Sequence, residues 1–154
     1  MSTKIMPCSQ DYNILCGVLE RNGILYEVKS DHSVACIVCA GGGDIRMTFS
    51  VDTTKMLVTL FAPVITGVPA ETATDMALAV CMINDRIPEG AFCFDVTAGI
   101  VYFRLTQSYY NRGQTEFIFE YMLSSAAGMI EKYRPGLRRL SDKKAFFTER
   151  KYYA

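Results

Sequence analysis

A chain of 154 residues, half of them hydrophobic and 21% charged, has the size and composition of one folded domain and not of a disordered or fibrous protein. Its formal net charge is zero, and no apolar run approaches the ~18 residues of a membrane span, so neither wholesale attraction to nucleic acid nor membrane insertion is written into the chain. The charge is nonetheless uneven: residues up to Gly136 hold ten Lys or Arg against fourteen Asp or Glu, a balance of −4, while 137–154 hold six against two, a balance of +4.

The opening MSTKIMPCSQDYN lacks the apolar stretch of a secretory signal, which predicts a soluble cytoplasmic protein whose cysteines are reduced. Ser9 or Asp11 can cap a first helix with Ile14, Leu15, Val18 and Leu19 on one face, and Asn22-Gly23 supplies its stop. From Ile24 to Ala62 the period changes to two. Strands are expected at Ile24 to Lys29, at Ser33 to Ala40 and, most firmly, where Ile45, Met47, Phe49 and Val51 alternate with Arg46, Thr48 and Ser50. A further strand, Met56 to Ala62, follows the polar corner Asp52-Thr53-Thr54-Lys55 and is ended by Pro63.

After Gly67-Val68-Pro69 a long helix runs through Arg86, with Pro69 in its first turn and Glu71 and Asp75 near its positive end. Ala73, Met76, Ala77, Val80 and Ile83 form one side, and Leu78, Cys81 and Met82 widen the apolar stripe beyond what packing on one sheet face requires. Ile87-Pro88-Glu89-Gly90 breaks the helix. A hairpin follows, with Phe92, Phe94 and Val96 alternating against Cys93 and Asp95, a turn at Ala98-Gly99, then Val101, Phe103 and Leu105 against Tyr102 and Arg104. A last helix from about Gln114 to Tyr133 is closed by Pro135. The expectation is an α+β domain over 1–136, in the order α, three to four β, α, β, β, α, with 137–154 as a basic aromatic tail.

Several features invite a chemical reading, and each has a plainer one. Cys36-Ile37-Val38-Cys39 has the spacing of a zinc or redox pair, but within a strand residues three apart point to opposite faces, so the sulfurs diverge. His32, the single histidine, sits in a hairpin corner beside Asp31. Gly41-Gly42-Gly43 leads through Asp44 into a strand and not a helix, so it reads as a hairpin loop and not a phosphate cradle. Ser108 has no nucleophile setting. The carboxylate pairs Asp85 with Glu89 and Glu116 with Glu120 are the remaining route to an enzyme, by acid and base work, against the plainer reading as solvated charges. Asn84, at the end of an apolar helix, reads as a structural amide orienting the chain into the hairpin. No cofactor, metal or small-molecule substrate is expected.

In combination, the helix ending Met82-Ile83-Asn84, Gly90-Ala91-Phe92, the Phe94-Asp95 pair, the Ala98-Gly99 turn, Val101-Tyr102-Phe103-Arg104 and Tyr133-Arg134-Pro135-Gly136-Leu137 resemble the YbjN family over roughly Asn13 to Leu140. The resemblance implies a fold like that of the type III secretion chaperones, an antiparallel sheet flanked by helices in a molecule that usually pairs as a homodimer. It also implies a sensory transduction regulator with no established enzymatic activity.

Surface reasoning points the same way. The extra stripe at Leu78 and Met82, with Leu57 and Phe61 on the second sheet face, would be exposed in a lone protomer, so a homodimer or a bound protein or peptide segment is expected there. The tail interleaves Arg and Lys with Phe146, Phe147, Tyr152 and Tyr153; it suits docking on the acidic body or on a second copy, and alternatively contact with nucleic acid or an anionic membrane.

Overall fold

The computed structural model describes residues 10–110 and 115–143. Helix α1 (Gln10–Arg21) buries Tyr12, Leu15, Val18 and Leu19, an apolar face at helical spacing. It stops at Gly23 (φ 65°), where the Gly23 N–H reaches the Glu20 carbonyl at 3.0 Å and the Ile24 N–H reaches the Leu19 carbonyl at 2.9 Å, the paired bonds of a Schellman end.

Four strands follow: β1 (Leu25–Ser30), β2 (Ser33–Val38), β3 (Ile45–Asp52) and β4 (Leu57–Ile65). The Asp52 carboxylate holds the corner before β4 by accepting the Thr54 and Lys55 N–H groups at 3.0 and 2.9 Å. After a 3-10 turn (Ala70–Thr72) come helix α2 (Ala73–Asn84), strands β5 (Ala91–Asp95) and β6 (Ile100–Ser108), and helix α3 (Thr115–Asp142). The six strands form one antiparallel sheet in the order β1-β2-β3-β4-β6-β5. The α+β order expected from periodicity, with four strands before the second helix, is the order observed.

Register decides which residues meet. One row across the sheet joins Cys36, Met47 and, past β4, the Phe103–Phe92 pair; the next joins Val34, Phe49, Leu60 and Leu105. These side chains are buried and form the core with Phe119, Met122, Ala126 and Ile130 of α3 and the apolar face of α1. The opposite face of the sheet carries the alternate residues, which are half-buried or exposed.

Three expectations are corrected. Pro63 does not end its strand: β4 continues to Ile65, because the β3–β4 ladder stops at Thr48↔Phe61 and the β4–β6 register shifts between Pro63 and Ile65, so the missing N–H leaves no bond broken on the β3 side. Pro135 does not close the last helix either, and α3 runs on to Asp142. Its buried face continues as Ile130, Arg134, Leu137 and Ser141, and the Arg134 guanidinium donates to the Gly43 and Asp44 carbonyls at 2.6 and 3.1 Å. Packing on both sides of the proline holds the helix where local preference would end it. The first six residues of the expected tail are therefore helix, and Leu137 lies in the core. Finally, Val96 is not a strand position but lies in the β5–β6 turn, 64% exposed.

Candidate functional site

Cys36 is buried in β2 and Cys39 is exposed just beyond it, so the two thiols do not converge. Burial pushes the Cys36 thiol up to about 11. His32 faces Asp31 at 3.2 Å in the exposed β1–β2 corner. The Gly41–Gly43 stretch is the loop between β2 and β3, pinned by Arg134 and by the Glu131 carboxylate, which accepts the Gly41 N–H at 3.2 Å. Among the described residues no group of three or more His, Cys, Asp or Glu could hold a metal ion.

One of the two carboxylate pairs comes together, on an arginine. Glu116 and Glu120 lie on α3 beside Arg21 of α1, Glu116 in a direct ion pair and Glu120 at 3.8 Å, with all three side chains about half exposed. Asp85 is exposed and Glu89 half-buried. The Glu89 carboxylate accepts the Tyr121 hydroxyl, the Ser125 hydroxyl at 2.8 Å and the Gln107 amide at 3.1 Å. It is thus not a solvated charge but a junction tying the turn after α2 to α3 and β6. The phenol of Tyr121 is raised from its ordinary value by that hydrogen bond. Tyr26 is raised likewise by its 2.6 Å hydrogen bond to Glu20, with burial adding to it. These are charges and hydroxyls satisfied by one another.

The apolar residues singled out for interaction fall into two places. Leu78 and Met82 lie one turn apart on α2, each 59% exposed, while Met76 and Val80 face inward. Helix α2 flanks β5, the end strand, and Asn84 covers that strand's open edge: its amide donates to the Phe92 carbonyl and its oxygen accepts the Phe92 N–H, both at 2.8 Å. The outward stripe of α2 is left uncovered among the described residues.

Leu57 and Phe61 share the other surface, the outer face of the sheet, where Leu57 is half-buried and Phe61 38% exposed. Strands β6 and β5 separate this pair from α2. Register places Ala35, Thr48, Phe61 and Arg104 in one row, and Leu25, Ile37 and Arg46 in the next. Phe61 packs on Tyr102 with ring centroids 4.7 Å apart. Leu25, Ala35, Ile37, Arg46, Phe61 and Pro63 line a shallow concavity of ≈ 520 Å³ on this face. Leu25 is 79% and Ile37 40% exposed. Sequence reasoning named Phe61 and missed Leu25, Ile37 and Tyr102. The signal was present: Val34-Ala35-Cys36-Ile37-Val38 is apolar on both faces, whereas a strand wet on one side alternates.

The readings placed on a Ser9 cap, on a helix start at Gln114 and on Phe146, Phe147, Tyr152 and Tyr153 lie outside the described residues. No helix among the described residues is long and apolar enough to cross a membrane.

Residues 11–139 match the model of the YbjN family, whose description is "Putative bacterial sensory transduction regulator". No curated protein matches the chain. Among solved structures the chain is similar to one in "Crystal Structure of the ExsC-ExsE Complex", at 15% identity and a TM-score of 0.62 over 86% of this chain and 97% of that one. It is also similar to one in "Structure of the HopA1-SchA Chaperone-Effector Complex", at 15% identity and a TM-score of 0.50 over 83% and 92%. At such identity the likeness is one of fold, and the fold is the type III secretion chaperone-like one that the sequence motifs implied.

Proposed function

The chain belongs to the YbjN family, and from that premise we propose that it is a non-enzymatic protein-binding module, chaperone-like or regulatory, that works in the cytoplasm. It pairs with itself through the outward stripe of α2 and receives a segment of a partner protein on the outer face of the sheet.

The observation that carries this reading is the contrast between a filled core and two apolar surfaces left open beside it. The core holds Phe49, Phe92, Phe103, Phe119 and Tyr109 at under 2% exposure. Leu78 and Met82, by contrast, stand out on a helix already seated through Met76 and Val80. Large apolar side chains grouped on a surface favour association, and a standard interface removes roughly 800 Å² per partner from water. Methionine adds adaptability, since its unbranched thioether conforms to varied partners. On the sheet, β1 is the second end strand; its exposed outer edge bears Glu27 and Lys29, charges that discourage indiscriminate pairing while leaving backbone groups for a selected segment. The kinship of fold with a chaperone from a chaperone-effector complex supports a polypeptide as the ligand. The engagement of Glu116 and Glu120 by Arg21, and of Glu89 by hydroxyl and amide donors, supports a structural role for these carboxylates over acid-base chemistry.

Size-exclusion chromatography with light scattering tests the pairing. Leu78→Asp or Met82→Asp is expected to halve the mass of the intact chain while circular dichroism stays unchanged; an unaltered mass rejects the α2 stripe as the interface. Pull-down from the source cell with intact chain and with Phe61→Lys tests the sheet face, and partners retained equally by both reject it.

A further inference from the structure

The outer face of the sheet carries two arginines whose charge is left unanswered among the described residues. Arg46 of β3 lines the concavity with Ile37 and Phe61, and Arg104 of β6 pairs with Phe61 across the β4–β6 ladder; both are exposed. The ion pairs among the described residues belong to Arg21, Lys29 and His32, and neither Arg46 nor Arg104 enters one. The other polar side chains of the face are already engaged. Glu27 holds Lys29 at 2.6 Å, the Thr59 and Thr106 hydroxyls meet at 3.1 Å, and the Asp52 and Asp95 carboxylates, at the ends of their strands, accept backbone N–H groups of their own turns. With Glu27 and Lys29 cancelling, two positive charges frame the apolar concavity on a body whose residues up to Gly136 balance at −4.

Spacing selects the ligand. Arg104 faces Phe61, Phe61 faces Thr48, and Arg46 lies two residues before Thr48. The arginines thus stand two strands apart across the sheet and two residues apart along it, roughly 12 Å at ~4.8 Å per strand and ~3.4 Å per residue. That separation, with the Phe61 ring between, suits two carboxylates better than one convergent anion, and it matches about four residues of an extended chain, ~13 Å. In such a chain alternate side chains share a face, so acidic residues four apart bracket one apolar residue, which comes down on Phe61. A further apolar residue, two beyond the acid at Arg46, comes down beside Ile37, the cross-strand partner of Arg46. Arginine fits the task because its planar fork takes a carboxylate on two parallel hydrogen bonds.

We propose that the outer face takes an extended acidic-apolar segment of a partner protein, with two carboxylates on Arg46 and Arg104 and apolar side chains on Phe61 and Ile37. The inference rests on the reading of that face as a polypeptide-docking surface and adds the chemical class of the segment. Two cations on an acidic body make a poor nucleic-acid site, since a phosphate chain draws its affinity from many cations along its path. Complementary charge also turns basic segments away.

The test uses the full-length chain and short fluorescein-labelled peptides with the core Leu-Ser-Glu-Ser-Leu-Ser-Glu, both Glu being kept, replaced by Gln or replaced by Lys, read by fluorescence anisotropy at low salt. The Glu peptide is expected to bind roughly tenfold more tightly than the Gln peptide, each exposed ion pair being worth about threefold, with the Lys peptide weakest. The Arg46→Gln, Arg104→Gln double variant should bind Glu and Gln peptides alike. Arg46→Glu, Arg104→Glu should prefer the Lys peptide, a reversal that misfolding cannot produce. Phe61→Ser should weaken the Glu peptide at least roughly tenfold. Equal binding of Glu and Gln peptides by the intact chain, lost with Phe61→Ser, overturns the acidic class and leaves the docking surface standing. A preference for Glu that survives the Arg→Gln double variant, or no binding of any peptide, also overturns the proposal. Displacement of the Glu peptide by a short oligothymidylate overturns it in favour of a nucleic-acid chain. Peptide binding unmoved by Phe61→Ser is a different failure, that of the docking surface itself.

Discussion

Single residues carry more of this fold than their positions suggest. Gly90 sits at φ +70°, and a Cβ built there would stand 2.5 Å from Cζ of Phe103 and 3.1 Å from the Arg104 carbonyl oxygen. Gly90→Ala must both adopt a left-handed backbone and push a fully buried ring, and is expected to cost on the order of 3 kcal/mol, read as a lower urea midpoint at unchanged slope. Cys36 makes a prediction about pH. Its thiol is held up from 9.0 to about 11 by burial, so the folded state keeps it protonated where the unfolded chain ionises. The sign follows: the contribution is whole below about pH 9 and is lost as pH rises toward 11, on the order of 2–3 kcal/mol in all. Urea titrations over that range should show a steeper alkaline loss of stability for the intact chain than for Cys36→Ala. At neutral pH iodoacetamide should modify exposed Cys39 and Cys81 well before Cys36.

Among the elements, α2 shows how one side chain can finish a sheet. Strand β5 is an end strand, and Asn84 supplies both the donor and the acceptor that a further strand would have supplied to Phe92. Asn84→Ala is expected to lose about 2 kcal/mol and to speed hydrogen exchange at the Phe92 amide, while Asn84→Asp keeps the acceptor and so keeps more of that protection. The reading of Asn84 as a structural amide was legible because it ends an apolar helix just before a turn and a strand. Glu89 was not legible. Tyr121 and Ser125 lie 32 and 36 residues further along the chain, and nothing in the local pattern announces that α3 brings them to it. Helix α3 differs from its sequence reading for a related reason: Pro135 is a local stop signal, but Arg134 and Leu137 are anchored by residues from the β2–β3 loop and the core, and those contacts outweigh it.

At the scale of the molecule, the two open surfaces lie apart, separated by β6 and β5, and should act independently. Phe61→Lys is expected to leave the light-scattering mass unchanged, and Leu78→Asp to leave partner capture by the sheet face unchanged; the double variant should show the sum of the two single effects. A mass that falls with Phe61→Lys would merge the surfaces into one interface. What the residues by themselves determined was the order of elements and the inner face of each strand, because period-two and period-3.6 patterns are local and any burial must honour them. The family motifs were readable for the same reason, each being a turn, a stop or a packing pair within a few positions. Tertiary structure alone decided that Leu25, Ile37 and Phe61 share one concavity, since that depends on strands from distant parts of the chain pairing in a particular register. It alone also carried α3 past its proline to Asp142, because long-range packing can overrule a local preference only once the distant residues have met.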